Sequence, residues 1–213
     1  QPPEEFLRMY GKLKEPRRTY AAFITMTDTL IGTVLDRVES LGLRDETVFI
    51  FMSDNGHSVE DNKISVDDHR SGLPLGHNYG ANGGGGYTGQ WIGHKATFLE
   101  GGIRVPAIIS HPASLPSGVV RDQVVTAMDW YPTILEMCDV AAPSKVLDGR
   151  SLLPVIRSSE AMSPHPVLHF QWINSWAVRE GPWKLICHQG RGVNAKARYT
   201  LHNLDDRQPE AVD

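Results

Sequence analysis

Apolar residues recur every three or four positions from Phe23 through Thr27, Leu30, Val34 and Val38 to Leu41. That spacing lines one face of an α-helix. It predicts an amphipathic helix over residues 18–41, with Gly42 as the left-handed residue that ends it. Five residues later the pattern changes. Thr47-Val48-Phe49-Ile50-Phe51-Met52 is apolar or β-branched at consecutive positions, as in a strand buried on both faces of a mostly parallel sheet. Residues 105–110, Val-Pro-Ala-Ile-Ile-Ser, predict a second strand of that kind. Between the two, residues 56–103 follow neither period, and more than half of the chain's 20 glycines fall between Ser71 and Val105. A loop this long in a compact domain is usually functional or disordered. Asp129 stands where it would cap a helix over Trp130–Cys138, with Pro132 tolerated in the first turn. Past residue 150 the segments shorten: 167–170, 176–180, 183–188 and 199–204 read as strands, with Gly181-Pro182 turning between the middle two.

A helix feeding a buried strand argues for α/β layers, and the short late strands argue for an appended antiparallel sheet. The length of 213 residues suits one sizeable domain with a small appendage. A net charge of −4 gives no basic field for nucleic acid and no polybasic membrane patch. No apolar run approaches the roughly 20 residues of a membrane span. Two cysteines, Cys138 and Cys187, are too few for a disulfide framework. The chain opens Gln1-Pro2-Pro3-Glu4-Glu5 without an initiator methionine, as a processed product or a fragment would.

The chemistry gathers where the first buried run stops, at Ser53-Asp54-Asn55-Gly56-His57. Ligands of open α/β sheets bind beyond the carboxyl ends of the strands. Asp54 and Asn55 offer hard oxygen donors suited to calcium or magnesium. Gly56 would allow a sharp turn after them. Asp-Asn-Gly is equally a good turn sequence, with both side chains bonding nearby backbone. Lys95 precedes Glu100-Gly101-Gly102-Ile103-Arg104-Val105-Pro106. Its compact charge suits a sulfate or phosphate oxygen, although most lysines are simply solvated. Glu100 and Arg104, four apart, are expected to be structural, pairing with each other or with neighbouring backbone. His57, His77 and His94 lie beside or within the glycine-rich loop, where an imidazole can contact a sugar hydroxyl or sulfate. Tyr87 and Trp91 offer either a carbohydrate-stacking platform or anchors for the loop.

These segments together resemble the sulfatase family of the alkaline-phosphatase-like superfamily. The resemblance rests on TVFIFMSDNG, on KATFLEGGIRVPAII, on the helix RRTYAAFITMTDTLIGTVLDRVESLGL, on TAMDWYPTILEMC, and on LDGRSLLPVI and AVREGPWKLI, in the family's order. It implies a three-layer α/β/α sandwich around a mostly parallel sheet, here residues 1–150, with a small antiparallel C-terminal subdomain over 151–213. It implies that Asp54 and Asn55 are two ligands of an active-site calcium, and that Lys95 contacts sulfate and assists departure of the ester oxygen. An amide at position 55, where related phosphatases tend to carry histidine, favours a hard cation over zinc. The family's nucleophile is a formylglycine made from cysteine or serine in a Cys/Ser-x-Pro/Ala-x-Arg element. Neither Cys138 nor Cys187 lies in one.

The chain is therefore expected to be the C-terminal portion of a sulfatase, inactive without its N-terminal half. The expected substrate is a sulfate ester, with a sulfated carbohydrate as one form of it. The resemblance also implies a periplasmic or extracellular setting. A phosphate or phosphonate ester hydrolase of the same superfamily is an alternative, as is a non-catalytic calcium- or glycan-binding fragment.

Overall fold

The computed structural model describes residues 2–59, 65, 74–76, 86–190 and 196–211. They fall into two compact units, Gln1–Ile109 with His202–Asp213, and Ser110–Leu201.

The first unit opens with a short helix α1 (Glu4–Met9) and the long helix α2 (Arg17–Ser40). Glu15 accepts the Thr19 N–H at 3.1 Å near the start of α2. The end is a Schellman stop at Gly42, as the sequence predicts. Gly42 has φ of 70°, its N–H bonds the Glu39 carbonyl at 2.9 Å, and the Leu43 N–H reaches the Val38 carbonyl at 3.1 Å. Strand β1 (Phe49–Met52) pairs with β2 (Ala107–Ser110), and a one-turn helix α3 (Glu100–Ile103) precedes β2.

The predicted burial of these elements is not met within the described residues. Phe23, Leu30 and Val34 of α2, and Leu41 just past its end, are each more than half exposed, and only Ala22 of that helix is buried. Phe51 and Ile108 on the two strands are exposed as well. The periodicity did identify a helix and two strands. Burial, however, requires a covering layer, and the described residues do not place one there.

The second unit holds α4 (Trp130–Met137), α5 (Leu153–Arg157) and a four-stranded sheet in the order β3 (Val167–Trp172), β4 (Ser175–Glu180), β5 (Trp183–Gln189), β6 (Ala197–Asn203). All four strands coincide with the predicted ones to within three residues. The β3–β4 and β4–β5 pairs are antiparallel, with Phe170 opposite Ala177 and Ala177 opposite Ile186. Gly181, at φ of 55°, makes the tight β4–β5 connection. Leu168, Ala177 and Ile186 are buried on one face of the sheet and Cys187 on the other, and Leu152, Leu153 and Val155 are buried as well.

Candidate active site

Beyond the end of β1 the backbone is tied across to the segment that leads into β2. The Ser53 N–H bonds the Pro106 carbonyl at 3.4 Å, and the Gly56 N–H bonds the Gly102 carbonyl at 2.8 Å. The Ser53 hydroxyl donates to the Asn55 carbonyl at 2.8 Å. Asn55 Nδ2 donates to Asp54 Oδ1, which leaves Asn55 Oδ1 and the second Asp54 oxygen as acceptors. Asp54 is exposed and Asn55 half-buried.

The reason for glycine at position 56 differs from the expected one. Gly56 has no positive φ, so no left-handed turn demands it. A Cβ there would lie 1.8 Å from the Gly101 carbonyl oxygen and 2.9 Å from Gly102 Cα. Glycine is needed because two backbones meet. The same holds at Gly102, where a Cβ would lie 2.5 Å from the His94 carbonyl oxygen.

Lys95 sits in a tight turn. The Thr97 N–H bonds the His94 carbonyl at 3.1 Å. The Thr97 hydroxyl donates to that carbonyl at 2.7 Å and accepts the His94 N–H at 3.2 Å. The Lys95 N–H donates to the His57 carbonyl at 2.9 Å, and His94 Nδ1 lies 2.8 Å from the Lys95 carbonyl. A carbonyl only accepts, so Nδ1 carries the proton and Nε2 is left for other partners. The His57 and His94 rings meet edge to face, 6.4 Å apart. His57 Nδ1 is buried without a hydrogen-bond partner among the described residues. The first unit thus brings Asp54, Asn55, His57, His94 and Lys95 to one end of β1, although some 40 residues of sequence separate the two groups. His77 lies outside the described residues.

Glu100 and Arg104 have the structural role expected of them. Glu100 is buried, with Oε2 3.4 Å from Arg104 Nη1. The Arg104 guanidinium lies 4.2 Å over the Trp91 ring, a cation–π contact that makes Trp91 a loop anchor. Tyr87 is 80% exposed. Glu210 stands in no motif of the sequence. Its buried carboxylate accepts the Glu100 N–H at 2.6 Å across 110 positions of sequence, and no local pattern carries a pairing so distant.

In the second unit Asp129 is fully buried, and its carboxylate does not cap α4. One oxygen accepts the Thr126 N–H at 2.7 Å, and the other accepts the Arg150 N–H at 2.8 Å and His165 Nε2 at 2.6 Å. The Thr126 bond is one arm of a capping box on the 3-10 turn Ala127–Asp129 that leads into α4, and the other two tie that turn to the loops of Arg150 and His165. Asp129→Asn puts an amide N–H₂ against at least one of these donors. It should destabilise the protein by about 1–3 kcal/mol, the cost of an orphaned buried donor, as measured by urea unfolding. The thiols of Cys138 and Cys187 are both free. Tyr199 bonds Cys187, and this contact raises the Tyr199 pKa.

Among the described residues no three or more His, Cys, Asp or Glu side chains gather as a metal site. Residues 1–140 match the family model described as Sulfatase. The chain belongs to the sulfatase family. Residues 90–205 also match the model described as N-sulphoglucosamine sulphohydrolase, C-terminal. Among curated sulfatases the chain is 35% identical to human Arylsulfatase D over 156 residues, covering 73% of this chain and 24% of that protein. It is 30% identical to human Steryl-sulfatase over 172 residues, covering 79% and 27%. A Schizosaccharomyces pombe protein described as an uncharacterized sulfatase is 31% identical over 218 residues, covering 90% and 38%. The chain spans about a quarter to two fifths of the length of these relatives.

Its fold is similar to that of Ps i-CgsB in complex with k-i-k-neocarrahexaose. The TM-score is 0.76 at 24% identity, over 100% of this chain and 42% of that one. It is also similar to BT4656 in complex with D-glucosamine-2-N,6-O-disulfate, with a TM-score of 0.61 at 22% identity, over 88% and 33%. No described helix is long and apolar enough to cross a membrane.

Proposed function

We propose that this chain is the C-terminal portion of an enzyme that hydrolyses sulfate esters, with a sulfated carbohydrate as the substrate class. The observation that carries this reading is the backbone tie between His57 and Lys95, 2.9 Å long. It sets a lysine beside a tip bearing two hard oxygen donors. In this reading Asp54 and Asn55 would hold part of a calcium shell, which takes about six to eight oxygens. When bound, that ion supplies positive charge for the sulfate and nucleophile oxygens. The nucleophile, a formylglycine, and the remaining ligands belong to the N-terminal half of the same protein. β1 and β2 belong to the mostly parallel sheet of a three-layer sandwich, whose other layers cover the exposed faces of α2 and the two strands. Residues 1–150 form the catalytic part and 151–213 the antiparallel subdomain. The setting is periplasmic or extracellular.

The work of this chain's own residues follows from charge. As the S–O bond breaks, negative charge builds on the bridging oxygen, and Lys95 Nζ supplies a cation and a proton there. His57 faces the same end of β1 and contacts sulfate or sugar hydroxyls. The two glycine contacts hold both groups on rigid backbone, which limits reorganisation during the reaction.

The test is a paired screen of the full-length protein on matched sulfate, phosphate and phosphonate monoesters, with calcium, after chelation, and after calcium is restored. Turnover of sulfate esters that chelation removes and calcium restores is the expected result. Faster turnover of the phosphate or phosphonate esters, or recovery with zinc alone, would overturn the reading.

A further inference from the structure

Ala96 is strained. Its φ of 68° places a non-glycine residue in the left-handed region, unfavourable for any side chain with a Cβ by roughly a factor of ten in population. With His94 as the first residue and Thr97 as the fourth, and with Lys95 outside the positive-φ residues, this is a type II turn, which favours glycine at its third position. Type I and type II turns differ by a flip of the central peptide, here Lys95–Ala96. An alanine at the third position would ordinarily choose type I. A side-chain bond holds that peptide, from His94 Nδ1 to the Lys95 carbonyl at 2.8 Å. The flip would break it and would reverse the backbone that carries Lys95 into the loop.

We propose that His94 is a positioning residue for Lys95, its Nδ1–H bond holding the Lys95–Ala96 peptide in the orientation that Ala96 disfavours. The inference rests on the reading of Lys95 as the leaving-group lysine. Strain at a functional site persists where surrounding contacts over-determine it. Here those contacts are the His94 ring, the Thr97 hydroxyl and the His57 carbonyl.

The test uses the full-length enzyme on a sulfate ester with a basic leaving group. His94→Ala should lower kcat about tenfold with little change in KM. In His94→Asn the amide N–H₂ occupies the place of Nδ1, and kcat should stay within about twofold of wild type. His94→Gln reaches only the place of Nε2 and should behave as His94→Ala. Ala96→Gly relieves the left-handed strain, so adding it to His94→Ala should recover most of the lost kcat, with Ala96→Gly alone as the reference. Rescue by Gln rather than Asn, or no recovery on adding Ala96→Gly, would mean that His94 acts on substrate through Nε2 and would overturn the inference. Independently of any variant, ¹⁵N NMR of the wild-type ring should show the Nδ1–H tautomer; an Nε2–H tautomer overturns it. A severe Lys95→Ala without the His94 pattern removes this inference alone. A harmless Lys95→Ala removes the reading of Lys95, and the inference with it.

Discussion

Gly56→Ala should destabilise the protein by about 3 kcal/mol or more and lower the enzyme's sulfatase activity by about 10²-fold or more. The added Cβ would stand 1.8 Å from the Gly101 carbonyl oxygen and 2.8 Å from its carbon. Those are main-chain atoms, so no side chain can rotate away. Relief requires the tip after β1 and the one-turn helix α3 to separate, breaking the 2.8 Å bond from the Gly56 N–H to the Gly102 carbonyl. Overpacking in a rigid interior ordinarily costs about 1–3 kcal/mol, and occasionally more; a backbone–backbone clash belongs to the upper end. The loss of activity follows from the same movement. Asp54 and Asn55 ride on the tip, while the stretch carrying Lys95 is bonded to both parts, by the Lys95 N–H to the His57 carbonyl and by the Ile92 carbonyl to the Gly101 N–H at 2.7 Å, so parting the two moves Lys95 against Asp54 and Asn55. A shift of about 1 Å between them can cost 10²-fold in rate. Thermal unfolding and an aryl sulfate assay on the purified variant check both parts. A wild-type melting temperature with wild-type turnover would mean that the two segments do not meet as described.

Much of this was legible in the chain, for identifiable physical reasons. The α2 stripe, the Gly42 stop, the two apolar runs and the four late strands depend on local periodicity, and each formed where the pattern put it. Asp54, Asn55 and Lys95 stood out because oxygen donors and a cation beside a strand end are unusual chemistry. The site's contacts were less legible. Gly56 looked like a turn residue, since sequence distinguishes poorly between a glycine needed for φ and one needed for close approach. The His94–Lys95–Ala96 turn gave no signal, because its third residue is the wrong one for its type. Asp129 reads as a helix cap in sequence, but its partners Arg150 and His165 are brought to it only by the fold. Glu210 reaches Glu100 by the same route. The exposed face of α2 shows the converse limit: a pattern states which face is apolar, and a covering layer decides whether it is buried.

Lys95→Ala in the full-length enzyme should lower kcat/KM by about 10²–10³-fold on sulfate esters with poor leaving groups, comparable to removing one preorganised transition-state donor. The loss should shrink as the leaving group becomes more acidic. A cation or proton donor at the bridging oxygen matters in proportion to the negative charge left there when the S–O bond breaks. His94→Ala should show the same trend with a smaller amplitude, through the displaced lysine. Calcium content must be measured on each variant, since loss of an ion held near Asp54 and Asn55 would depress every substrate alike. The most direct measurement of the central claim is therefore a leaving-group series on wild type and Lys95→Ala at matched calcium occupancy. A steeper dependence on leaving-group basicity in the variant is the predicted result. The same loss at every leaving group, with calcium retained, would contradict it and would leave Lys95 as an anchor for the sulfate group only.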